Sequence, residues 1–446
     1  MLASPRGWGW TLGITTILCL GGASSLYPAL RGWCLVAASI LMIFVVRYPR
    51  FRLHDAGFPA ALLACAALLV ILYAIPLPVG WSASLPGRDW VAELDGVVFG
   101  EQISRPLSLD PDSTPRALFF LFTPTVVYLA TRFGDDWRRM AIVRGLLLAM
   151  ATGFILQLAQ STAGGPYFYD VGHIDFGPAF FTNRNHTATF VLGGAALVAG
   201  WLAGRSERAA TGFTAMGIIA VAMIGAMLTG SRAGIVLLAI FAVLAGAAYA
   251  LDRLGGSRRN GLLVGGAALL LAIGSGYAIG NIIGGPQEAR TASSGSALSG
   301  VTRRSALATD ARYEIWDVSA KVARTYFPLG AGYGSFREIY EKHEPLEIVG
   351  PLYSNHAHND YLELAIEGGL PALLILLAYL AWLVIALRRR IASGGRWVEL
   401  AFLALPPLLV LAHSMVDYPI RTIAVACVLA IHAGLLVQVK SADIHA

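Results

Sequence analysis

Apolar runs of about 20 residues, the length of a membrane-spanning helix, recur along almost the whole chain. We count twelve runs, at approximately residues 9–29, 32–47, 57–76, 116–133, 141–161, 186–204, 211–229, 233–251, 261–283, 369–387, 398–416 and 420–439. Charged residues make up only 13% of the 446 residues, against about 25% in soluble domains. The sequence therefore predicts an all-α polytopic integral membrane protein. It excludes a soluble multidomain enzyme, a disordered chain and a secreted disulfide scaffold.

The first apolar run follows Arg6 and precedes a stretch of small residues, an arrangement with some likeness to a signal peptide. Because the next apolar run follows almost at once, we interpret the first as a retained helix. The four cysteines lie inside apolar runs, away from any His or Asp at ligand spacing, and we interpret them as small apolar residues. They are Cys19, Cys34, Cys65 and Cys427.

The basic residues of the short loops are divided unevenly between the two sides of the membrane. Seventeen lie on one side: Arg6, Arg47, Arg50, Arg52, Arg132, Arg138, Arg139, Arg205, Arg208, Arg253, Arg258, Arg259, Arg388, Arg389, Arg390, Arg396 and Lys440. Four lie on the other side: Arg31, Arg184, Arg232 and Arg421. The positive-inside rule places the richer side in the cytoplasm, so both termini are expected there.

Two long loops are predicted on the outer side, at about residues 78–115 and 284–368. The second is too long to lack structure without a function. It opens with a stretch rich in Gly, Ser and Ala that predicts flexibility, and the aromatic spacing after it predicts amphipathic helices at about 311–325 and 335–343. The chain then divides into residues 1–283 with helices one to nine, the loop at 284–368, and residues 369–446 with helices ten to twelve.

A first polar cluster lies at the outer mouth of the sixth predicted span, in residues 180–187. Arg184 and His186 place a cation and an imidazole just above an apolar helix, where they could face a lipid phosphate. The alternative is an ordinary helix start, in which Asn185 or Thr187 caps open backbone amides and the arginine lies among the headgroups.

Two further arginines lie in positions that suit an anionic ligand. Arg232 belongs to the short turn 229–234 between two apolar spans, and it is either an anchor among the headgroups or a phosphate ligand. Arg312 opens the amphipathic helix that carries Trp316, and the alternative there is a solvated charge at a helix end. Arginine suits phosphate because its planar fork donates paired hydrogen bonds.

The strongest cluster lies just before the tenth predicted span. His356 and His358 stand two residues apart at the start of a helix that Asn359 or Asp360 would cap. A histidine at the outer surface is a suitable general base, since its reference pKa is about 6.5. A metal site made by His356, His358 and Glu363 is a weaker alternative, because no further ligand has a convincing spacing.

Two weaker patterns have simple structural interpretations. Asp110 and Asp112 form an Asp-x-Asp pattern that metal-dependent sugar transferases also use, but Thr114 and Pro115 favour a turn and the start of the fourth span. The glycines of residues 330–334 are spaced as in a phosphate loop. No strand precedes them, so we interpret this segment as a turn between amphipathic helices.

These segments together resemble the O-antigen ligase family of polytopic glycosyltransferases. The family motif is His, then Asn, Ser or Gln, nine residues, and Gly-x-x-Gly; here His358 and Asn359 are followed after nine residues by Gly368. The final glycine is replaced by Ala372. Three further segments are similar to the family: residues 183–186, 231–234 and 312–336.

The resemblance covers about residues 170–385 and implies a fold related to the GT-C membrane glycosyltransferases. It implies a glycan donor on undecaprenyl diphosphate, transfer at the periplasmic face of the bacterial inner membrane, and no cofactor or metal. It assigns function to His358, Arg232 and Arg312. This assignment agrees with our hypothesis, in which a histidine acts as the base, two arginines bind the diphosphate and the anomeric carbon is inverted. The residues we assign to substrate binding are Arg184, His186, His356, Asn359 and Glu363.

The sequence leaves the acceptor open. A lipid A core would make the protein an O-antigen ligase, a carrier-linked glycan would make it an O-antigen or exopolysaccharide polymerase, and a protein acceptor would make it an O-oligosaccharyltransferase. A lipid-linked glycan transporter is the alternative from another class. The predicted spans carry almost no mid-membrane ionisable groups, which disfavours a proton- or ion-coupled transporter.

Overall fold

The computed structural model describes residues 7–23, 28–49, 51–169, 177–205, 209–253, 312–349, 354–394 and 396–437. The α-helices within these ranges are α1 (Trp8–Leu20), α2 (Pro28–Val46), α3 (Phe58–Ala74), α4 (Asp89–Phe99), α5 (Thr114–Phe133), α6 (Asp136–Ala163), α7 (Arg184–Ala203), α8 (Ala209–Leu228), α9 (Arg232–Arg253), α10 (residues 312–325), α11 (Phe336–His343), α12 (Asp360–Ala392), α13 (Trp397–His413) and α14 (Ile423–Leu436). Three 3₁₀ turns lie at Leu53–Ala56, Leu346–Ile348 and Pro419–Arg421. Two short antiparallel strands, β1 (Pro76–Leu77) and β2 (Arg105–Pro106), pair with Pro76 opposite Pro106.

Every predicted span except the ninth overlaps one of these helices. The ninth, residues 261–283, lies outside the described residues, as does the Gly- and Ser-rich start of the second outer loop. Within the described ranges, α2, α6, α7 and α12 are long and apolar enough to cross a membrane, and several other apolar helices are shorter. The architecture is consistent with an all-α membrane protein; the twelve crossings and the GT-C-like arrangement stay predictions.

Helix α7 forms the centre of the helical bundle and is buried along most of its length. It contacts α6, α8, α9, α13 and α14. Small residues permit this close packing, since a Cβ atom on Gly200 would lie only 3.2 Å from the backbone nitrogen of Leu403 in α13. Because its outer end begins at Arg184, the sequence of α7 fixes where the first polar cluster stands among its neighbours.

A second, smaller hydrophobic core lies on the outer side and joins α10, α11 and the start of α12. Its buried members are Val318, Val322, Tyr326, Ala331, Phe336, Ile339, Tyr340, Ala357 and Ile366. These residues come from the aromatic-rich part of the second outer loop and from the segment that carries the two histidines. The small core therefore fixes the outer segment against the end of α12.

A break at Gly369 divides α12 and docks the glycine-rich turn. Gly369 adopts φ 56° and ψ −151°, which interrupts the helix. The backbone amides of Ala331 and Gly332 donate to carbonyl oxygens just before the break, at 2.7 and 2.9 Å, and Gly334 donates to the Glu367 carboxylate at 2.9 Å. These amides bind protein oxygens, which confirms that residues 330–334 form a structural turn and not a phosphate loop.

We expect Gly369→Ala to destabilise the protein by more than about 2 kcal/mol. An alanine there would adopt a left-handed conformation, and its Cβ would lie 2.2 Å from the carbonyl oxygen of Pro328. Gly394→Ala is the matched control, because Gly394 also has a positive φ but no atom lies within 4 Å of its added Cβ. Thermal unfolding in detergent measures both. Equal losses in the two variants would contradict a docking role for Gly369.

The first outer loop is bonded to the same glycine-rich turn. Arg88 is fully buried, and its guanidinium donates to the carbonyl oxygen of Gly330 at 3.0 Å and to the hydroxyl of Ser82 at 3.2 Å. Burial without an acidic partner lowers the pKa of Arg88 to about 10. The backbone amide of Leu109 also donates to Ala331 at 2.8 Å. The two outer loops therefore form one hydrogen-bonded unit.

Candidate active site

The carboxylate of Asp417 is the centre of a polar cluster at the outer end of the bundle. Asp417 follows α13 and is completely buried. Its oxygens accept hydrogen bonds from the side-chain amide of Asn185 at 2.7 Å, from that of Asn183 at 3.2 Å, and from the backbone amide of Tyr418 at 3.0 Å. The start of α7 and the end of α13 are thus joined through one carboxylate.

Three imidazoles surround the same carboxylate. Nδ1 of His358 lies 3.3 Å from the Asp417 carboxylate, Nε2 of His186 lies 3.6 Å away, and Nε2 of His413 lies 3.7 Å away. His413 also bonds the Thr189 hydroxyl through Nδ1, at 2.6 Å. Burial alone would raise the pKa of Asp417, but these imidazoles hold it well below its usual range. Asp417 is therefore an anion at neutral pH.

His358 is the one of these three histidines that opens toward the exterior. Its side chain is 27% exposed, whereas those of His186 and His413 are fully buried. His358 adopts φ 49°, an uncommon left-handed conformation for a residue with a side chain. Trp316 holds this conformation by donating from its indole to the His358 carbonyl oxygen at 3.2 Å. Strain of this kind persists where the surroundings fix it, and it is concentrated at functional sites.

Asn359 is the residue that caps α12. Its side-chain oxygen accepts from the amides of Tyr361 and Leu362 at 3.0 and 3.1 Å, and its side-chain amide donates to the carbonyl oxygen of Met415 at 3.0 Å. One of the two predicted capping residues is thus confirmed. The bond to Met415 also ties the start of α12 to the segment that carries Asp417, which fixes the distance between His358 and its carboxylate.

The ring of Tyr418 packs among the histidines. Ring centroids of His356, His186 and His358 lie 4.1, 4.9 and 5.0 Å from that of Tyr418. Tyr418 is itself buried. A rigid aromatic ring in contact with the His358 imidazole limits its rotation, so Tyr418 helps to keep the histidine directed at Asp417.

Arg232 stands beside this cluster at the first residue of α9. The Ser231 hydroxyl donates to the side-chain oxygen of Asn185 at 2.7 Å, and Asn185 in turn donates to Asp417. The turn that carries Arg232 is therefore fixed to the carboxylate through two hydrogen bonds. Arg232 is exposed and has no ion pair with any residue that the structure describes, so its charge is available to a ligand.

Arg312 and Arg184 add positive charge at the same mouth. Nη2 of Arg312 lies 3.9 Å from Asp417, and the side chain is about a third exposed, which leaves other guanidinium donors open to solvent. Arg184 is half-buried at the first residue of α7. Arg312 thus contacts the carboxylate, and Arg184 and Arg232 begin helices whose first residues are bonded to it through Asn183, Asn185 and Ser231. This positive charge suits a doubly charged anion.

His356 and Glu363 belong to a second network beneath the first. The Glu363 carboxylate accepts from the Ala357 backbone amide at 2.9 Å and lies 2.7 Å from Nδ1 of His356. Arg421 then pairs with three carboxylates: those of Asp360, Glu363 and Glu367, at 3.7, 3.1 and 2.9 Å. His356 and Glu363 are both buried. Since His358 faces Asp417 instead, the two histidines of the segment before α12 lie beside different carboxylates.

The described residues contain no group of three or more His, Cys, Asp or Glu side chains that could hold a metal ion. The pattern at Asp110 is a turn, in which its carboxylate accepts from the backbone amide of Ser113 at 3.0 Å. Ser113, not Thr114, precedes the first residue of α5. The interpretation of this pattern as a turn is therefore confirmed, with the helix beginning one residue earlier than expected.

The capping interpretation of the first cluster was wrong about which residue caps α7. Asn183 caps the helix by accepting from the Asn185 backbone amide at 2.9 Å. The Asn185 side chain turns to Asp417 and Ser231, and the Thr187 hydroxyl donates to the carbonyl oxygen of Pro178 at 2.7 Å. Because Asn183 takes the cap, Asn185 is free to join the cluster around the carboxylate.

Comparison with known families gives a match in the part of the chain that carries the predicted site residues. Residues 217–377 match a family model described as O-antigen ligase. The match confirms the resemblance drawn from the sequence, and it supports a glycosyltransferase of the ligase or polymerase type, whose family members are enzymes that transfer glycans. The matched region includes Arg232, Arg312 and His358. No curated protein matches the chain.

Several residues that complete the site lie outside the matched region. Asn185 precedes it, and Asp417 and Tyr418 follow it. Neither Asp417 nor Tyr418 is among the site residues predicted from the sequence. A signal was present, since Asp417 lies close in sequence to Arg421, one of the four basic residues in the short loops that are predicted on the outer side.

The depressed pKa of Asp417 predicts a specific loss of stability in acid. The folded state keeps Asp417 ionised below the pH at which the unfolded carboxyl, with a pKa of about 3.9, takes up its proton. Its contribution is therefore present above about pH 4 and declines as the pH falls further. We expect the unfolding temperature of the wild type to fall more steeply than that of Asp417→Asn between about pH 5 and pH 3. Parallel curves would contradict the depressed pKa.

Proposed function

We propose that the protein transfers a glycan from undecaprenyl diphosphate to an acceptor hydroxyl at the periplasmic face of the bacterial inner membrane. The acceptor is a lipid A core or another carrier-linked glycan, and both termini lie in the cytoplasm. The observation that carries the proposal is the pairing of a part-exposed histidine with a buried carboxylate beside Arg232, an exposed arginine with no ion pair among the described residues. This combination suits proton removal from a hydroxyl next to a leaving anion.

His358 acts as the general base. With Nδ1 directed at Asp417, at 3.3 Å, the other ring nitrogen is the one that accepts the acceptor hydroxyl proton. The Asp417 carboxylate fixes this tautomer and stabilises the imidazolium that forms, as in other His–Asp pairs. The acceptor oxygen bonds to the anomeric carbon while the bond from that carbon to the phosphate oxygen breaks. A single displacement inverts the anomeric centre.

Arg232 and Arg312 bind the diphosphate and stabilise its charge as it leaves. The electron pair of the broken bond stays on the phosphate oxygen, so negative charge grows there during the reaction. Arginine donors held beside that position stabilise the transition state more than the ground state. Hydrogen bonds through Ser231 and Asn185 hold Arg232 at the mouth in advance, so little reorganisation is needed.

The other residues assigned to the substrate act chiefly by positioning the base. His186, His356 and Glu363 are buried and bonded within the protein, and Asn359 caps α12 beside His358. Glu363 holds the backbone amide immediately before His358 at 2.9 Å. Arg184 lies at the mouth and is the remaining candidate for direct contact with the diphosphate or the glycan.

A transfer assay with purified protein in detergent tests the proposal and separates its two forms. The donor is a glycan on undecaprenyl diphosphate, EDTA is present, and the acceptor is either lipid A core or absent. Product joined to the core identifies a ligase, and a ladder of longer carrier-linked chains without core identifies a polymerase. Absence of both products with several donors would contradict the proposal, as would a requirement for metal.

A further inference from the structure

Helix α4 in the first outer loop has three distinct faces. Val91 and Asp95, four residues apart, are buried against the protein. Asp89 and Glu93, also four apart, form an exposed acidic face. The third face is apolar, and it is exposed although nothing in its sequence is polar.

The exposed apolar face consists of Leu94 and Val98, which are four residues apart and so share one side of the helix. Their exposed fractions are 43% and 58%, and Val97, which lies between this face and the acidic one, is 85% exposed. Phe99, the last residue of α4, and Trp81 in the segment before the helix are also more than half exposed. Exposing aromatic and branched aliphatic side chains to water is unfavourable in free energy, and contiguous exposed apolar patches mark contact surfaces.

The position of α4 relative to α3 indicates what this face contacts. Asp95 binds Arg105 at 2.7 Å, and Arg105 pairs with Leu77 in the two-stranded sheet. Leu77 lies only three residues beyond Ala74, the last residue of α3. Helix α4 is therefore held at the level where an apolar helix of the bundle ends.

Helix α3 also has exposed apolar side chains, and they extend to the end of the helix that lies level with α4. Leu68, Leu72 and Ile75 lie along one side of the helix and are each about half exposed. Such residues on an apolar bundle helix face lipid. Val79 and Trp81 continue the exposed apolar surface past the end of α3.

We infer that α4 lies in the headgroup region of the outer leaflet, with Leu94 and Val98 in contact with lipid. The acidic face then points to water and the buried face to the protein, so each of the three faces meets a suitable environment. An interfacial helix with one apolar face, one charged face and flanking aromatic residues has the features of a membrane-surface helix. The inference does not depend on the proposed reaction.

The membrane contact has a structural consequence for the outer unit. The segment before α4 binds the glycine-rich turn through Arg88 and Gly330, and the segment after it binds the same turn through Leu109 and Ala331. That turn docks on α12 at the break of Gly369. A helix resting on the lipid therefore supports the outer segment next to the site.

Site-specific labelling tests the inference. Val98→Cys and Glu93→Cys are each made in a Cys65→Ala background, because Cys65 is exposed. Each is labelled with a polarity-sensitive fluorophore and reconstituted into phosphatidylethanolamine–phosphatidylglycerol vesicles, with and without a lipid brominated near the headgroup. Unmutated Cys65→Ala protein measures background labelling. Both positions are exposed, so neither substitution disturbs packing.

The label at Val98→Cys should lose most of its emission to the brominated lipid and little to aqueous iodide. The label at Glu93→Cys, on the acidic face of the same helix, should behave in the opposite way. Strong iodide quenching at both positions would overturn the inference, because the apolar face would then meet water. Protection of the Val98→Cys label from both quenchers would also overturn it, because protein would then cover that face.

Discussion

His358→Ala should abolish glycan transfer while leaving the protein folded and at normal abundance. A positioned general base contributes about 10²–10⁴ in rate, and no other described histidine at the cluster is exposed to a substrate. Asp417→Asn should lose about 10²-fold or more, since an amide does not stabilise the imidazolium. Initial rates of transfer from the lipid-linked donor measure both variants.

The matched control is His343→Ala. His343 lies at the end of α11 in the same outer unit, and its Nδ1 bonds only the backbone oxygen of Ile339, at 2.8 Å. This variant should keep near wild-type rates. Adding imidazole to His358→Gly offers a second test, because a free base in the vacated space should restore part of the activity. Wild-type transfer by His358→Ala would remove the histidine base from the mechanism.

The membrane helices and the histidine and arginines of the site could be predicted from the sequence. Uncharged runs of about 20 residues predict helices, because unpaired backbone groups are too costly in lipid. A histidine and two arginines at the outer ends of such helices are unusual enough to be noticed one by one. The helices overlap eleven of the twelve predicted runs, and His358 and Arg312 lie beside one carboxylate. Arg232 follows Ser231, which is bonded to that carboxylate through Asn185.

The carboxylate itself could not be predicted, because its partners are distant in sequence. Asn185 and Asp417 are 232 residues apart. An aspartate two residues before an apolar span has many local explanations, and only packing of α7 against α13 and α14 brings it to the histidines. The uneven distribution of charge indicated this region: Arg184, Arg232 and Arg421, three of the four basic residues in the short loops predicted on the outer side, all lie at or beneath the site.

The sequence also could not predict which partner the acidic side chains of α12 contact. Glu363 and Glu367 are four residues apart and so share one face of the helix. Nothing local shows whether that face meets a substrate or the protein. It meets Arg421, which lies 54 residues beyond Glu367, and this pairing turns both acids into structural groups beneath the histidine.

Arg232→Ala should lower the turnover number by about 10²–10³, the usual loss when one donor to a developing anion is removed. The exposed side chain has no ion pair among the described residues, so its removal leaves no unpaired partner and should not destabilise the fold. Arg324→Ala is the matched control. Arg324 is exposed on α10, the same helix as Arg312, and lies away from the carboxylate cluster, so its loss should leave the rate unchanged.

Arg232→Lys separates charge from geometry. Lysine keeps the positive charge but lacks the planar fork that binds two phosphate oxygens, so it should restore only part of the lost rate. The kinetic parameter that changes is decisive. A lower turnover number with a nearly unchanged KM for the donor means that Arg232 acts in the transition state. A higher KM with an unchanged turnover number would mean that Arg232 binds the bound donor and the departing diphosphate equally well. In that case Arg232 anchors the donor, and another group must stabilise the leaving charge.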